Sequence, residues 1–115
     1  PHPLVKKVKD YIFCNLQSDI KVSDMAEQFA VNADYLSFLF HKSTGKTISR
    51  YVLEEKVKAA ESMLVYTDNS LQEIAFVLNF SSQSHFSTVF RKIVGVTPRQ
   101  YRDTYTMDKS AELSS

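Results

Sequence analysis

Residues 86–102 read Phe-Ser-Thr-Val-Phe-Arg-Lys-Ile-Val-Gly-Val-Thr-Pro-Arg-Gln-Tyr-Arg, and the fold turns on this stretch. Phe86, Val89, Phe90 and Ile93 fall at helical spacing, which predicts a helix with one apolar face. Gly95 enters the left-handed conformation without steric cost and so ends that helix. Thr97 is a good capping residue and Pro98 suits a first helical turn, so a new helix starts at once. The outer face carries Arg91, Lys92, Arg99 and Arg102 and no acid. The same plan stands earlier in the chain, where residues 36–51 read Leu-Ser-Phe-Leu-Phe-His-Lys-Ser-Thr-Gly-Lys-Thr-Ile-Ser-Arg-Tyr.

The two copies align residue by residue. Leu36 matches Phe86, Phe40 matches Phe90, Lys42 matches Lys92, Gly45 matches Gly95, Thr47 matches Thr97 and Tyr51 matches Tyr101, all at an offset of 50. Upstream, Met25-Ala26 matches Ile74-Ala75 at an offset of 49. The second copy therefore has one extra residue in its turn. Both glycines of the chain occupy equivalent positions.

With 115 residues there is room for one compact domain or two very small subdomains. Two glycines and three prolines disfavour a turn-rich sheet protein and suit helices. The net charge of +1 says little about partners; the purely basic run from Arg91 to Arg102 matters more, and counting alone leaves it either a binding surface or a solvated face. The single cysteine, Cys14, excludes an intrachain disulfide, fits a reducing, cytoplasmic compartment, and is expected to be a small, partly buried side chain. No apolar run is long enough to cross a membrane, and no signal peptide is visible. The chain opens with Pro1 rather than methionine, so it is expected to be a piece of something longer.

Taken in order, the pattern is all-α, with about seven helices forming two helix-turn-helix subdomains joined by a long central helix. Leu4, Val5, Val8, Ile12 and Leu16 mark a first helix over residues 4–17. A second spans Val22 to Ala30, with Met25, Ala26 and Phe29 inward. Asn32 caps a third, Ala33 to Thr44, with Leu36, Leu39 and Phe40 inward. Thr47 caps the longest, Ile48 to Tyr66, which has no proline or glycine. Ser70 and Glu73 form a capping box for a fifth helix, Leu71 to Leu78. Asn79 takes a left-handed position, and Ser82 caps a sixth helix, Gln83 to Val94. A short seventh runs from Pro98 to Thr104. The expected divisions are 4–47, 48–66 as the connecting helix, 67–104, and a disordered tail at 105–115.

A short helix, a tight turn and a longer helix with a polar outer face make a helix-turn-helix, here in two copies joined by a rigid helix. That spacing suits two reading helices in successive major grooves, about 34 Å apart. Ile74-Ala75, Phe86, Phe90-Arg91-Lys92, Gly95 and Thr97-Pro98-x-x-Tyr101-Arg102 resemble the AraC/XylS DNA-binding domain, and the resemblance covers residues 4 to 102. It implies a bacterial transcription regulator in which this domain follows a sensory or receiver domain. Double-stranded DNA is the implied partner, with RNA polymerase a candidate further one. The alternative is a degenerate tandem that serves as a protein-interaction module.

Base reading needs outward side chains near the start of each second helix. In the first copy these are Asp34, Ser37, Phe38 and His41, with Ala33 beside them. Asp34 can accept from a cytosine amino group, and Phe38 can contact thymine methyls or pack against a helix. The resemblance implies arginine or lysine as a frequent residue where Phe38 stands. In the second copy the outward set is Gln83, Ser84, Ser87 and Thr88. His85 is expected to pack or cap rather than touch a base. Phosphate contacts are expected from Lys42, Lys46, Arg50, Arg91, Lys92 and Arg99, and from the helix starts capped by Thr47 and Thr97, with Arg102 the weakest candidate. Cys14, His41 and His85 lie on different helices without metal-ligand spacing, and no glycine-rich phosphate loop exists. The chain is therefore read as a non-enzyme without cofactor or metal. Glu54 and Glu55 read as a solvated helix face.

Overall fold

The computed structural model describes residues 2–114, and side chains for residues 2–106. Among the described residues seven helices follow one another: α1 Pro3–Cys14, α2 Val22–Gln28, α3 Ala33–Thr44, α4 Ile48–Tyr66, α5 Leu71–Val77, α6 Gln83–Val94 and α7 Pro98–Ser114. The chain divides into two compact units, Pro1–Glu55 and Lys56–Ser115, so each unit takes part of α4.

In the first unit Val5, Val8 and Ile12 of α1 meet Met25 and Ala26 of α2, Leu36 and Phe40 of α3 and Ile48 of α4 in one buried cluster. These are the positions that the 3.6-residue period puts on one face. Tyr51 closes the cluster edge to face on Phe40, with ring centroids 5.3 Å apart. The second unit repeats the plan around Val57, Ala60, Leu64, Ile74, Ala75, Leu78, Phe86 and Phe90. There Tyr101 stands edge to face on Phe90 at 5.5 Å. Burial pushes the Tyr101 phenol up to about 12, with a hydrogen bond to Glu61 adding to the effect.

Both tight turns close in one way. After α2, the Val31 N–H donates to the Ala26 carbonyl and the Ala30 N–H to that of Glu27. After α5, Phe80 donates to Ala75 and Asn79 to Phe76. This paired closure requires a left-handed residue, and Ala30 (φ 56) and Asn79 (φ 58) supply it. The extra residue of the second turn is Ser81, between Phe80 and the cap Ser82.

Several helix ends differ from the expectation. α1 stops at Cys14, not residue 17, because the Asn15 side chain donates to the Tyr11 carbonyl at 2.7 Å. Leu16 still packs on the core from outside the helix, which is why periodicity overruns the end. α2 stops at Gln28, where the left-handed Ala30 and the bonds from Ala30 and Val31 close the turn, while Phe29 still packs on the core beyond it. α7 passes Thr104 and continues to Ser114, through the positions expected to be a disordered tail. Residues 99–114 contain no proline or glycine, so nothing local stops the helix. Cys14 is exposed rather than partly buried, because it falls on the side of α1 that carries Lys7 and Asp10. Lys56, inside the long helix, is buried and sets its ammonium 5.9 Å from the Phe80 ring centroid.

Candidate nucleic-acid interface

α3 and α6 are fixed from both ends by their own sequences. Asn32 Oδ1 accepts the Tyr35 N–H at 3.1 Å, and Ser82 Oγ accepts that of His85 at 3.0 Å. Gly45 and Gly95 end the two helices with φ of 78° and 98°, and their N–H groups donate to the His41 and Arg91 carbonyls at 2.8 Å. Leu36 and Phe40 anchor α3 from below, as Phe86 and Phe90 anchor α6, so each helix turns its remaining face outward.

On α3 that face carries Asp34, Ser37, Phe38 and His41, all exposed. Phe38 is 62% exposed, which removes the helix-packing role considered for it. Lys42 sets its ammonium 5.8 Å from the Phe38 ring centroid, a cation–π contact one helical turn on. Tyr35, half exposed in the first turn of the same helix, belongs to this surface and escaped the sequence pattern. On α6 Gln83, Ser84 and Thr88 are exposed and Ser87 is half-buried. His85 leans edge to face on Phe80, with centroids 5.5 Å apart.

The cations fall into two kinds. Arg91, Lys92 and Arg99 are exposed on the second unit. On the first unit Lys42 is exposed, while Lys46 and Arg50 both hold Glu54, at 2.6 Å and 3.0 Å. Those two contacts keep the Glu54 carboxyl below the usual carboxylate range, with Lys46 the larger cause. Arg50 and Glu54 stand four residues apart on one helix, a spacing that was readable in the sequence. Thr47 Oγ1 accepts the Arg50 N–H at 3.1 Å. Thr97 and Gln100 cap each other reciprocally, at 3.1 Å and 2.9 Å, so the T-x-x-Q spacing is a capping box. Arg102 turns away from the outer face and donates to the Leu64 and Thr67 carbonyls.

Among the described residues no cluster of His, Cys, Asp or Glu could hold a metal ion, and no helix is long and apolar enough to cross a membrane. The available chemistry is that of two helix faces bearing hydroxyls, an amide, a carboxylate and an aromatic ring, flanked by cations.

Comparison with known proteins points the same way. A family model described as a helix-turn-helix domain matches residues 25–104. The melibiose operon regulatory protein of Escherichia coli (strain K12) is 31% identical over 98 residues, which is 85% of this chain and 32% of that protein. The chain thus spans about a third of the length of such relatives. A transcriptional regulator from Chromobacterium violaceum, described as of the AraC-type DNA-binding domain-containing proteins, superposes with a TM-score of 0.85. It is 28% identical, covering 90% of this chain and 92% of that one. The DNA-binding domain of AdpA, solved with a target DNA, superposes with a TM-score of 0.87 over 95% of this chain and 98% of that one. At 21% identity that likeness concerns the fold.

Proposed function

Because this chain belongs to the AraC-type helix-turn-helix family, we propose that it binds double-stranded DNA sequence-specifically and thereby regulates transcription in bacteria. α3 and α6 are the reading helices, each presented to a major groove. The observation that carries this reading is the in-register repetition of a capped, anchored helix with an outward polar face. One such pair of helices is a common packing unit, but two with matching caps and glycine stops are suited to two half-sites.

Within this reading, Asp34, Ser37, Phe38 and His41 meet bases from α3, and Gln83, Ser84, Ser87 and Thr88 from α6. Gln83 suits adenine and Asp34 suits the cytosine amino group. Lys42, Lys46, Arg50, Arg91, Lys92 and Arg99 lie along the phosphates, with Thr47 and Thr97 fixing the helix starts between them. The remaining length of the relatives leaves room for a sensory or receiver domain in the full-length protein, and RNA polymerase is the further partner suited to an activator. Such a role belongs in the cytoplasm and requires no catalysis.

Selection of bound duplexes from a random library at fixed salt tests the proposal. The expected result is a motif of two half-sites about one helical turn apart. Failure to favour any duplex over bulk DNA overturns it.

A further inference from the structure

We propose that the first unit reads thymine methyl groups through Phe38, so that its half-site is specified by thymine rather than guanine. This inference rests on the DNA-binding reading and concerns what α3 selects within it.

Three observations converge on Phe38. It is 62% exposed on a face that also carries Asp34, Tyr35, Ser37, His41 and Lys42, and it is the one side chain there without a polar group. A phenyl ring left in water on a polar face gains by being covered, and a duplex offers one apolar group on its major-groove edge, the C5-methyl of thymine. Second, α3 contains no arginine, asparagine or glutamine, the side chains whose paired hydrogen bonds select guanine or adenine. Its one lysine lies in the last turn and rests on the Phe38 ring at 5.8 Å. Third, Asp34, Phe38 and Lys42 follow one another at steps of four and form a single stripe along the helix. From the leading end, that stripe presents an acceptor for a cytosine amino group, an apolar surface and a cation for phosphate.

The equivalent stripe on α6 is Ser84, Thr88 and Lys92, in which Thr88 offers only one methyl where Phe38 offers a ring. The two units are therefore unlike in chemistry although alike in build. The first depends on an apolar contact that no hydrogen-bond donor can replace.

Deoxyuridine lacks only the methyl of thymine, so it isolates this contact. A duplex chosen by library selection is remade with each thymine of each half-site replaced in turn by deoxyuridine. Binding by the unaltered protein and by Phe38→Ala and Phe38→Leu is then measured at one salt concentration. One or two positions of one half-site should lose about fourfold in affinity for the unaltered protein. Phe38→Ala should bind the thymine duplex more weakly and no longer distinguish it from the uridine duplex, while Phe38→Leu keeps part of the difference. Equal binding to thymine and uridine at every position overturns the inference and leaves DNA binding standing. Persistence of the difference in Phe38→Ala also overturns it. Absence of any selected duplex defeats the DNA-binding reading itself, and the inference with it.

Discussion

Lys46 places its ammonium 2.6 Å from one oxygen of Glu54, and Arg50 holds the other oxygen at 3.0 Å. The positions equivalent to Lys46, Arg50 and Glu54 in the second copy are Val96, Gln100 and Thr104, none of them charged. The first unit thus carries two further cations together with an acid that partly neutralises them. Their side chains remain 47% and 46% exposed, and an exposed ion pair of this kind is worth only about 0–1 kcal/mol to the fold. Replacing Glu54 by Gln should therefore leave stability nearly unchanged and strengthen DNA binding at low salt by up to about fivefold. The plot of log affinity against log salt should steepen by about 1 to 2, one increment for each cation freed to meet a phosphate. Fluorescence anisotropy over a salt series measures both. An unchanged slope would remove Lys46 and Arg50 from the phosphate set.

Arg102 belongs to the same basic run as Arg91 but turns inward, while Arg91 is exposed. Its Nε donates to the Leu64 carbonyl at 3.0 Å and its Nη2 to that of Thr67 at 3.2 Å. Carbonyls at a helix C-terminus have no partner within the helix, and this guanidinium provides one for α4. Arg102→Ala should cost about 1.5–3 kcal/mol in urea unfolding, as hydrogen bonds to a charged group do, without altering the salt slope. Arg91→Ala should behave in the opposite manner, staying within about 0.5 kcal/mol in stability and lowering the slope by about 0.9. A matched loss of slope in both variants would place Arg102 on the DNA.

These two arginines mark the limit of what the sequence alone conveys. Local signals were legible: Asn32, Ser70, Ser82 and Thr97 cap where their spacing says, Gly45 and Gly95 stop helices, and the apolar periods name the buried faces. Each of those depends on neighbours within about four residues. Arg102 reaches carbonyls 35 and 38 residues away, and Lys56 is buried against Phe80, so neither can be read from a window of sequence. Helix ends were misjudged wherever an apolar residue packs on the core from outside the helix, as Leu16 and Phe29 do. Spacing located the outward faces of α3 and α6. It did not show that Phe38 stands free of any helix or that Glu54 ties down two cations.

Ala30 holds a left-handed conformation at φ 56, in the position where the second unit has Asn79 at φ 58. For an alanine this costs about 1–2 kcal/mol because its Cβ crowds the following carbonyl. The residue is exposed, so a larger side chain meets no packing penalty. Ala30→Gly and Ala30→Asn should each raise stability by about 1 kcal/mol, and Asn79→Ala should lower it by a similar amount. Gly45→Ala and Gly95→Ala should also destabilise, through conformation alone, since beyond the glycine and its two chain neighbours no atom of the described residues lies within 4 Å of an added Cβ at either. Urea midpoints at constant m-value measure all five. A fall in stability for Ala30→Gly would mean that the freedom gained by the unfolded chain outweighs the relief of strain.

Glu73 and Ser70 make the stability of α5 depend on pH. The Ser70 N–H donates to the Glu73 carboxylate at 2.9 Å, and Ser70 Oγ accepts the Glu73 N–H at 3.0 Å. The backbone hydrogen bond from Ser70, helped by its hydroxyl, holds the carboxyl below its ordinary 4.5. A depressed carboxyl stabilises the fold fully above its unfolded value, and that contribution disappears as the pH falls through the folded value. Glu54 is depressed in the same direction by Lys46 and Arg50, so both act in one window, from 4.5 downward. Glutamine at residue 73 keeps the reciprocal cap but cannot titrate. Glu73→Gln should therefore lose less stability than the unaltered protein between neutral pH and about pH 3, and Glu54→Gln with Glu73→Gln should lose less still. Urea unfolding at a series of pH values gives the slopes directly, and parallel curves for all three proteins would show that the acid sensitivity arises at other carboxylates.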